Sequence, residues 1–246
     1  MQLTVLASSS SGNGYILHND NEALIIEAGA RFKEAQRALD FNTSIIKGCI
    51  VSHEHGDHAK YAKEYLSRGI NIFTSQGTID KLNLSGDRKP VATKSKQVFN
   101  AGNFRIMPFD VIHDAAEPYG YIIDHPESGK VLFLTDTHYS PFKFKGLNHV
   151  IIEANYVDEI VDDLLNSGKL ELFRYKRIHN SHMSLRTCKR LLQANDLSEV
   201  MNIVLIHLSD GHSNEKQMKR EVTEQTGRMV HVANRGMTIP FNKSVL

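Results

Sequence analysis

Six times in this 246-residue chain, a short and mostly apolar run ends on a polar residue suited to bind a metal or fix a hydrogen-bond network. Glu27 follows Leu24-Ile25-Ile26, His53 follows Ile50-Val51-Ser52 and His113 follows Val111-Ile112. Asp136 follows Phe133-Leu134-Thr135, Asn155 follows Ile151-Ile152-Glu153-Ala154, and His207 follows Val204-Leu205-Ile206. Runs of this kind read as buried strands. Strand ends on one edge of a sheet are where rigid scaffolds present ligands and catalytic groups. The chain is therefore constrained to a fold that collects several strand ends on one side.

The remaining patterning fits that demand. Strands are expected at 2–6, at 14–17 and 23–26 as a hairpin through His18-Asn19-Asp20-Asn21, and then at 49–52, 71–74, 104–112, 119–123 and 131–134. Pro126-Glu127-Ser128-Gly129 turns the last pair, and two further strands are expected at 150–153 and 203–206. Helices are expected at 31–39, 60–67, 158–166, 184–194 and 214–225, the last two opening on the capping residues Ser184 and Asn214. No repeat, low-complexity tract or Pro/Gly-rich linker divides the sequence, so one domain over 1–246 is expected. The order strand-rich, helix, strand-rich, helix implies an α/β protein with two packed sheets and helices outside, a four-layer αββα sandwich.

The chemistry concentrates in His53-Glu54-His55-Gly56-Asp57-His58. His53 and His55 can reach one metal from a strand-to-helix loop while Asp57 and His58 turn toward a second, with Gly56 permitting a tight path between the pairs. Imidazole and carboxylate donors suit zinc, manganese, iron or nickel. The two cysteines, Cys49 and Cys188, lie far apart in apolar or helical surroundings, so no thiolate or disulfide framework is indicated. Lys plus Arg total 29 against 28 for Asp plus Glu, so any basic surface must be local. The N-terminal residues lack a basic region followed by an apolar stretch, and cytoplasmic residence without membrane contact is the expectation. Oligomeric state is not readable.

The HxHxDH pattern resembles the signature of the metallo-β-lactamase superfamily, and the likeness extends over nearly the whole chain. Finer segments, "SSSSGNGYIL", "VSHEHGDHAK", "TDTHYS", "IIEANYVDE" and "IHLSDGHSN", resemble its nuclease-related WalJ/YycJ-type branch. The resemblance implies two divalent ions: His53, His55 and His113 on one, Asp57, His58 and His207 on the other, and Asp136 bridging. Glu27 stands where that superfamily usually has Asp, a residue that orients the metal loop. His138 stands where glycine is usual, and "NSHMSL" keeps only His182 and Ser184 of the "GHLSN" type segment.

Two such ions would generate a hydroxide at neutral pH for attack on phosphorus. Asp57 and Asp136 would orient it and His182 would assist the leaving oxygen. Glu27 and Asn155, with Glu153, would order the ligands through hydrogen bonds. Substrate contacts are expected from Ser11 and Asn13 in the serine-rich opening, from Ser184, and from Arg174, Lys176 and Arg177 in a basic loop where Phe173 and Tyr175 are interleaved. The expected activity is that of a phosphodiesterase cleaving DNA in an exonuclease-like manner. The alternative is a small-molecule hydrolase acting on a cyclic phosphodiester, thioester or lactone at the same centre.

Overall fold

A computed structural model describes residues 1–84 and 90–244. The first sheet grows from the hairpin of β1 (Gln2–Ser9) and β2 (Gly12–His18) through β3 (Ala23–Ile26), β4 (Ile46–Ile50), β5 (Ile72–Thr74) and β6 (Val91–Ala92). The second holds β7 (Phe99–Ala101), β8 (Phe104–Asp110), β9 (Tyr119–His125), β10 (Gly129–Leu134), β11 (His149–Glu153), β12 (Asn202–Ile206) and β13 (Met229–Val232). The chain then returns to the first sheet as β14 (Thr238–Pro240), paired to β1 in the register Leu3↔Ile239. The orders are β14-β1-β2-β3-β4-β5-β6 and β13-β12-β11-β10-β9-β8-β7.

Alternation along the strands explains the layers. Leu3, Val5, Tyr15, Leu24 and Ile26 point from the first sheet onto Phe104, Tyr121, Phe133, Ile151 and Val204 of the second, forming the inter-sheet core. Tyr15 meets Phe133 with ring centroids 6.0 Å apart. The opposite faces take helices. Phe32 and Ala35 of α1 (Phe32–Ala38) and Tyr65 of α3 (Ala62–Ser67) cover Ile16, Ile25 and Cys49, with the short α2 (Gly56–Ala59) and α4 (Gln76–Leu82) at that side. Leu185 and Cys188 of α7 (Leu185–Gln193) and Met218 and Val222 of α8 (Glu215–Thr226) cover Ile152 and Leu205. Both cysteines are free and buried, and the expected four layers are present.

Two helices lie between β11 and α7: α5 (Asp158–Asn166) and α6 (Leu172–Ser181). α6 corrects the sequence reading, which took Arg174, Lys176 and Arg177 for a basic loop. Tyr175 and Ile178 pack on a small separate cluster of Tyr156, Val161 and Leu170, and that contact fixes the helix. Ser184 and Asn214 cap as expected, accepting from Thr187 N at 3.2 Å and Gln217 N at 3.1 Å. β8 stops at Asp110 rather than Ile112, because the Ile112 N–H leaves the ladder for Thr137 Oγ1 at 3.2 Å.

β3 to β6 run parallel, as do β10 to β13, and β8 shares the direction of β10 through the intervening antiparallel β9. The C-terminal ends of these strands share one edge of the sandwich. There Glu27 and His207 directly follow β3 and β12, while Asp136, Asn155, His53 and His113 sit two or three residues past β10, β11, β4 and β8.

Candidate metal centre

The seven residues expected as ligands converge at that edge in two groups. His53, His55 and His113 offer nitrogens to one point, and Asp57, His58, Asp136 and His207 offer donors to another. In the first group the three rings stand about equally spaced, with centroids 4.6, 4.7 and 4.9 Å apart. His113 Nδ1–H donates to the Ser181 carbonyl at 3.0 Å, which leaves Nε2 bare and facing His55 Nδ1 at 3.1 Å. His53 uses Nδ1 on Ser52 Oγ at 2.9 Å and turns Nε2 inward. Burial, with the neighbouring charge of His58, holds His53 well below the ordinary histidine range, and burial lowers His113. Both are therefore neutral, as a ligand must be.

Asp136 joins the groups. Its Oδ2 lies 2.6 Å from His58 Nε2 and 3.4 Å from His53 Nε2, while Oδ1 lies 3.3 Å from both His182 Nδ1 and His207 Nδ1. Burial opposes its charge, yet His207 and His58 hold the carboxyl well below its usual range. Asp57 Oδ2 meets His207 Nε2 at 2.9 Å and His58 Nε2 at 3.1 Å. Two buried atoms aimed into this space, His53 Nε2 and Asp136 Oδ1, have no hydrogen-bond partner. Buried polar atoms are rarely left so, and cations shared among these nitrogen and oxygen donors would satisfy both. The donor set fits a divalent metal site.

The supporting residues explain the arrangement. Glu27 accepts the Ser52 N–H with both oxygens, at 3.2 and 3.3 Å, and sets Oε2 3.6 Å from His58 Nδ1. Its backbone is turned to φ +68°. Glu153, fully buried, takes His182 Nδ1 at 2.8 Å and His207 Nδ1 at 3.2 Å on Oε1, and the Thr137 and Met183 N–H groups on Oε2. Burial disfavours a proton on His182, but Glu153 and Asp136 outweigh it and push the imidazole up to about 10. Asn155 Nδ2 donates to the His207 carbonyl at 2.8 Å.

Other expectations change. Asn13, expected as a substrate contact, is buried, and its Nδ2 donates to Asp57 Oδ2 at 3.2 Å, so it steadies a candidate ligand. Ser184, also expected to meet substrate, is buried with its hydroxyl spent on capping α7. Ser11 stays exposed at the β1–β2 turn, bonded to Ser9 Oγ at 2.8 Å. Gly56 needs no special conformation as the first residue of α2; the tight approach is at Gly29, where a Cβ would stand 1.7 Å from the Asp57 carbonyl oxygen. His138 joins neither group, and its Nδ1 is buried without a partner. Ser8 was not foreseen: its Oγ accepts the His207 N–H at 3.1 Å and meets Tyr15 OH at 2.8 Å, and that phenol reaches Asn13 Oδ1 at 3.3 Å. No spacing rule would have found this relay, because its members sit on β1 and β2 and its target just past β12.

A family profile, the β-lactamase superfamily domain, matches residues 24–208, about three quarters of the chain. The chain belongs to the metallo-β-lactamase superfamily. Among its relatives within that superfamily, exodeoxyribonuclease YycJ of Bacillus anthracis is 27% identical over 251 residues, covering 92% of this chain and 90% of the relative. Exodeoxyribonuclease WalJ of Streptococcus pneumoniae is 28% identical over 175 residues, 64% of each chain. The metallo-β-lactamase fold protein YhfI of Bacillus subtilis superposes with a TM-score of 0.74 at 18% identity, over 97% of this chain and 98% of its own. With its His/Asp cluster, this superfamily member is a metal-dependent hydrolase. No helix among the described residues is long and apolar enough to cross a membrane.

Proposed function

We propose that the chain is a dinuclear phosphodiesterase that cleaves DNA, acting in the manner of an exonuclease. The observation that carries this reading is the junction of α6 with the centre. The last residue of the helix, Ser181, accepts from His113, and the next, His182, binds Glu153 and Asp136. The exposed face of the same helix carries Phe173, Arg174, Lys176 and Arg177. A cationic helix with an exposed aromatic ring, rooted in the ligand set, suits a phosphate backbone. The relatives named exodeoxyribonuclease support the same reading.

His53, His55 and His113 would hold one ion, Asp57, His58 and His207 the other, with Asp136 between them. Zinc or manganese suits these donors, and iron or nickel can replace them. When bound, such ions supply water activation at neutral pH and stabilise charge developing on phosphorus. Asp57, steadied by Asn13 and His207, and Asp136 orient the reacting groups. His182 keeps its Nδ1 on Glu153, so Nε2 is the nitrogen that donates a proton to the departing oxygen as the P–O bond breaks.

The test is degradation of end-labelled DNA by metal-loaded protein, with Asp57→Ala as control. Release of mononucleotides by the wild type, lost in the variant, is expected. Intact DNA alongside turnover of bis-p-nitrophenyl phosphate would overturn the reading in favour of a small-molecule hydrolase.

A further inference from the structure

The centre has a second flank. On the side of Asp57 and His58, a cleft of about 500 Å³ opens between the β1–β2 turn, the loop after β3 and the loop after β13. Ser9, Ser11, Arg31, Tyr61, Asn234 and Arg235 line it. Its floor is continuous with the metal loop: Gly29 lies against the Asp57 carbonyl, and the Tyr61 N–H donates to the Ala28 carbonyl at 2.9 Å. Arg31 lies over the Tyr61 ring at 5.3 Å and Lys60 over the same ring at 5.5 Å. Both cations are exposed, and neither has a carboxylate partner among the described residues. The acid at the cleft, Glu34, is already engaged by Arg235 at 2.9 Å and Arg37 at 3.4 Å.

The other flank is α6. Arg174 and Arg177 are one turn apart on that helix, and Arg177 is within electrostatic reach of Asp114, the neighbour of His113. The candidate ligands connect to both surfaces: His113 bonds the Ser181 carbonyl at the end of α6, and the Asp57 carbonyl abuts Gly29 in the floor of the cleft. Resting on the nuclease reading above, we infer that a DNA strand crosses the centre from one flank to the other. Arg31 and Lys60, held over Tyr61, and the hydroxyls of Ser9 and Ser11 then take phosphates on the Asp57 side. Tyr61 carries the cations rather than stacking a base, so this flank grips backbone without reading sequence.

The experiment measures DNA affinity of the metal-loaded protein against salt for wild type, Arg31→Ala/Lys60→Ala, Arg31→Lys/Lys60→Arg and, as control, Lys216→Ala on the outer face of α8. Removing two phosphate contacts should flatten the slope of log K against log salt by about 1.4 on single strands and about 1.8 on duplex. KM for DNA should rise several-fold while kcat holds. The charge-conserving exchange should restore the slope, and metal content should match throughout. A double-alanine slope equal to that of Lys216→Ala overturns the inference while leaving the nuclease reading intact, as does a charge-conserving variant that loses the slope equally. A wild type that neither binds nor cuts DNA overturns both.

Discussion

Glu27, Asp136 and His207 stand at φ +68°, +45° and +56°, a left-handed backbone that side chains other than glycine rarely adopt and that costs about 1–3 kcal/mol each. Glu27 and His207 directly follow a strand at the site, and Asp136 lies two residues past one. The residues themselves were legible from apolar runs ending on donors, but nothing in composition marks a carboxylate or imidazole in this conformation. For the same reason Asn13 and Ser184 were misplaced: their chemistry was visible, their burial was not. Glu27→Gln keeps an acceptor for Ser52 but removes the charge beside His58. Metal affinity should fall roughly 10–100-fold, measured by chelator competition, with the fold retained. A second prediction concerns His149, fully buried against Phe241 at 3.8 Å and pushed down to about 4 by burial. Its folded value lies below the unfolded one near 6.5, so the unfolded chain takes the proton first. Stability is complete above about pH 6.5 and falls toward pH 4 by roughly 3 kcal/mol. Urea melts at pH 7 and pH 5 should show about 2 kcal/mol of this loss in wild type and a smaller one in His149→Phe.

At the scale of elements, α6 was the main misreading, and its ends explain why. Glu171 makes no side-chain cap, His182 leaves in extended conformation, and no glycine closes the last turn. Leu172 and Phe173, which look like core residues in the sequence, are 55% and 76% exposed, so the apolar pattern points to no single face. Among the elements read correctly, α7 and α8 bury one side against a sheet and carry a recognised cap. Ile178→Ala should loosen α6 by about 2 kcal/mol, seen as faster amide exchange confined to residues 172–181. Phe173→Ala should leave the melting temperature unchanged and weaken binding of single-stranded DNA by about 1–3 kcal/mol, read from a fluorescence titration.

At the scale of the molecule, the αββα layering followed from the order of strands and helices, whereas the return of β14 to β1 did not. That pairing joins three residue pairs across almost the whole chain, and only the folded inter-sheet core brings them together. The candidate ligands divide between the layers: His53, His55, Asp57 and His58 come from the first sheet's loop, and His113, Asp136 and His207 from the second. An ion held by both would fasten one sheet to the other. At a free metal concentration about 100 times Kd, loading should add about 2.7 kcal/mol. For a chain of this size that raises Tm by roughly 5–10 °C over chelator-treated protein in a thermal melt.

The contact of Gly29 with the Asp57 carbonyl reaches further than packing. That carbonyl belongs to the loop that carries four of the seven donors, and backbone rather than an ion presses it into place. The Ala28 N–H reinforces the hold by donating to the His58 carbonyl at 2.7 Å. Contacts of the polypeptide itself therefore fix the backbone of this loop. Metal uptake by chelator-treated protein is then expected to run at a rate proportional to free metal in a stopped-flow titration, with no slow folding phase.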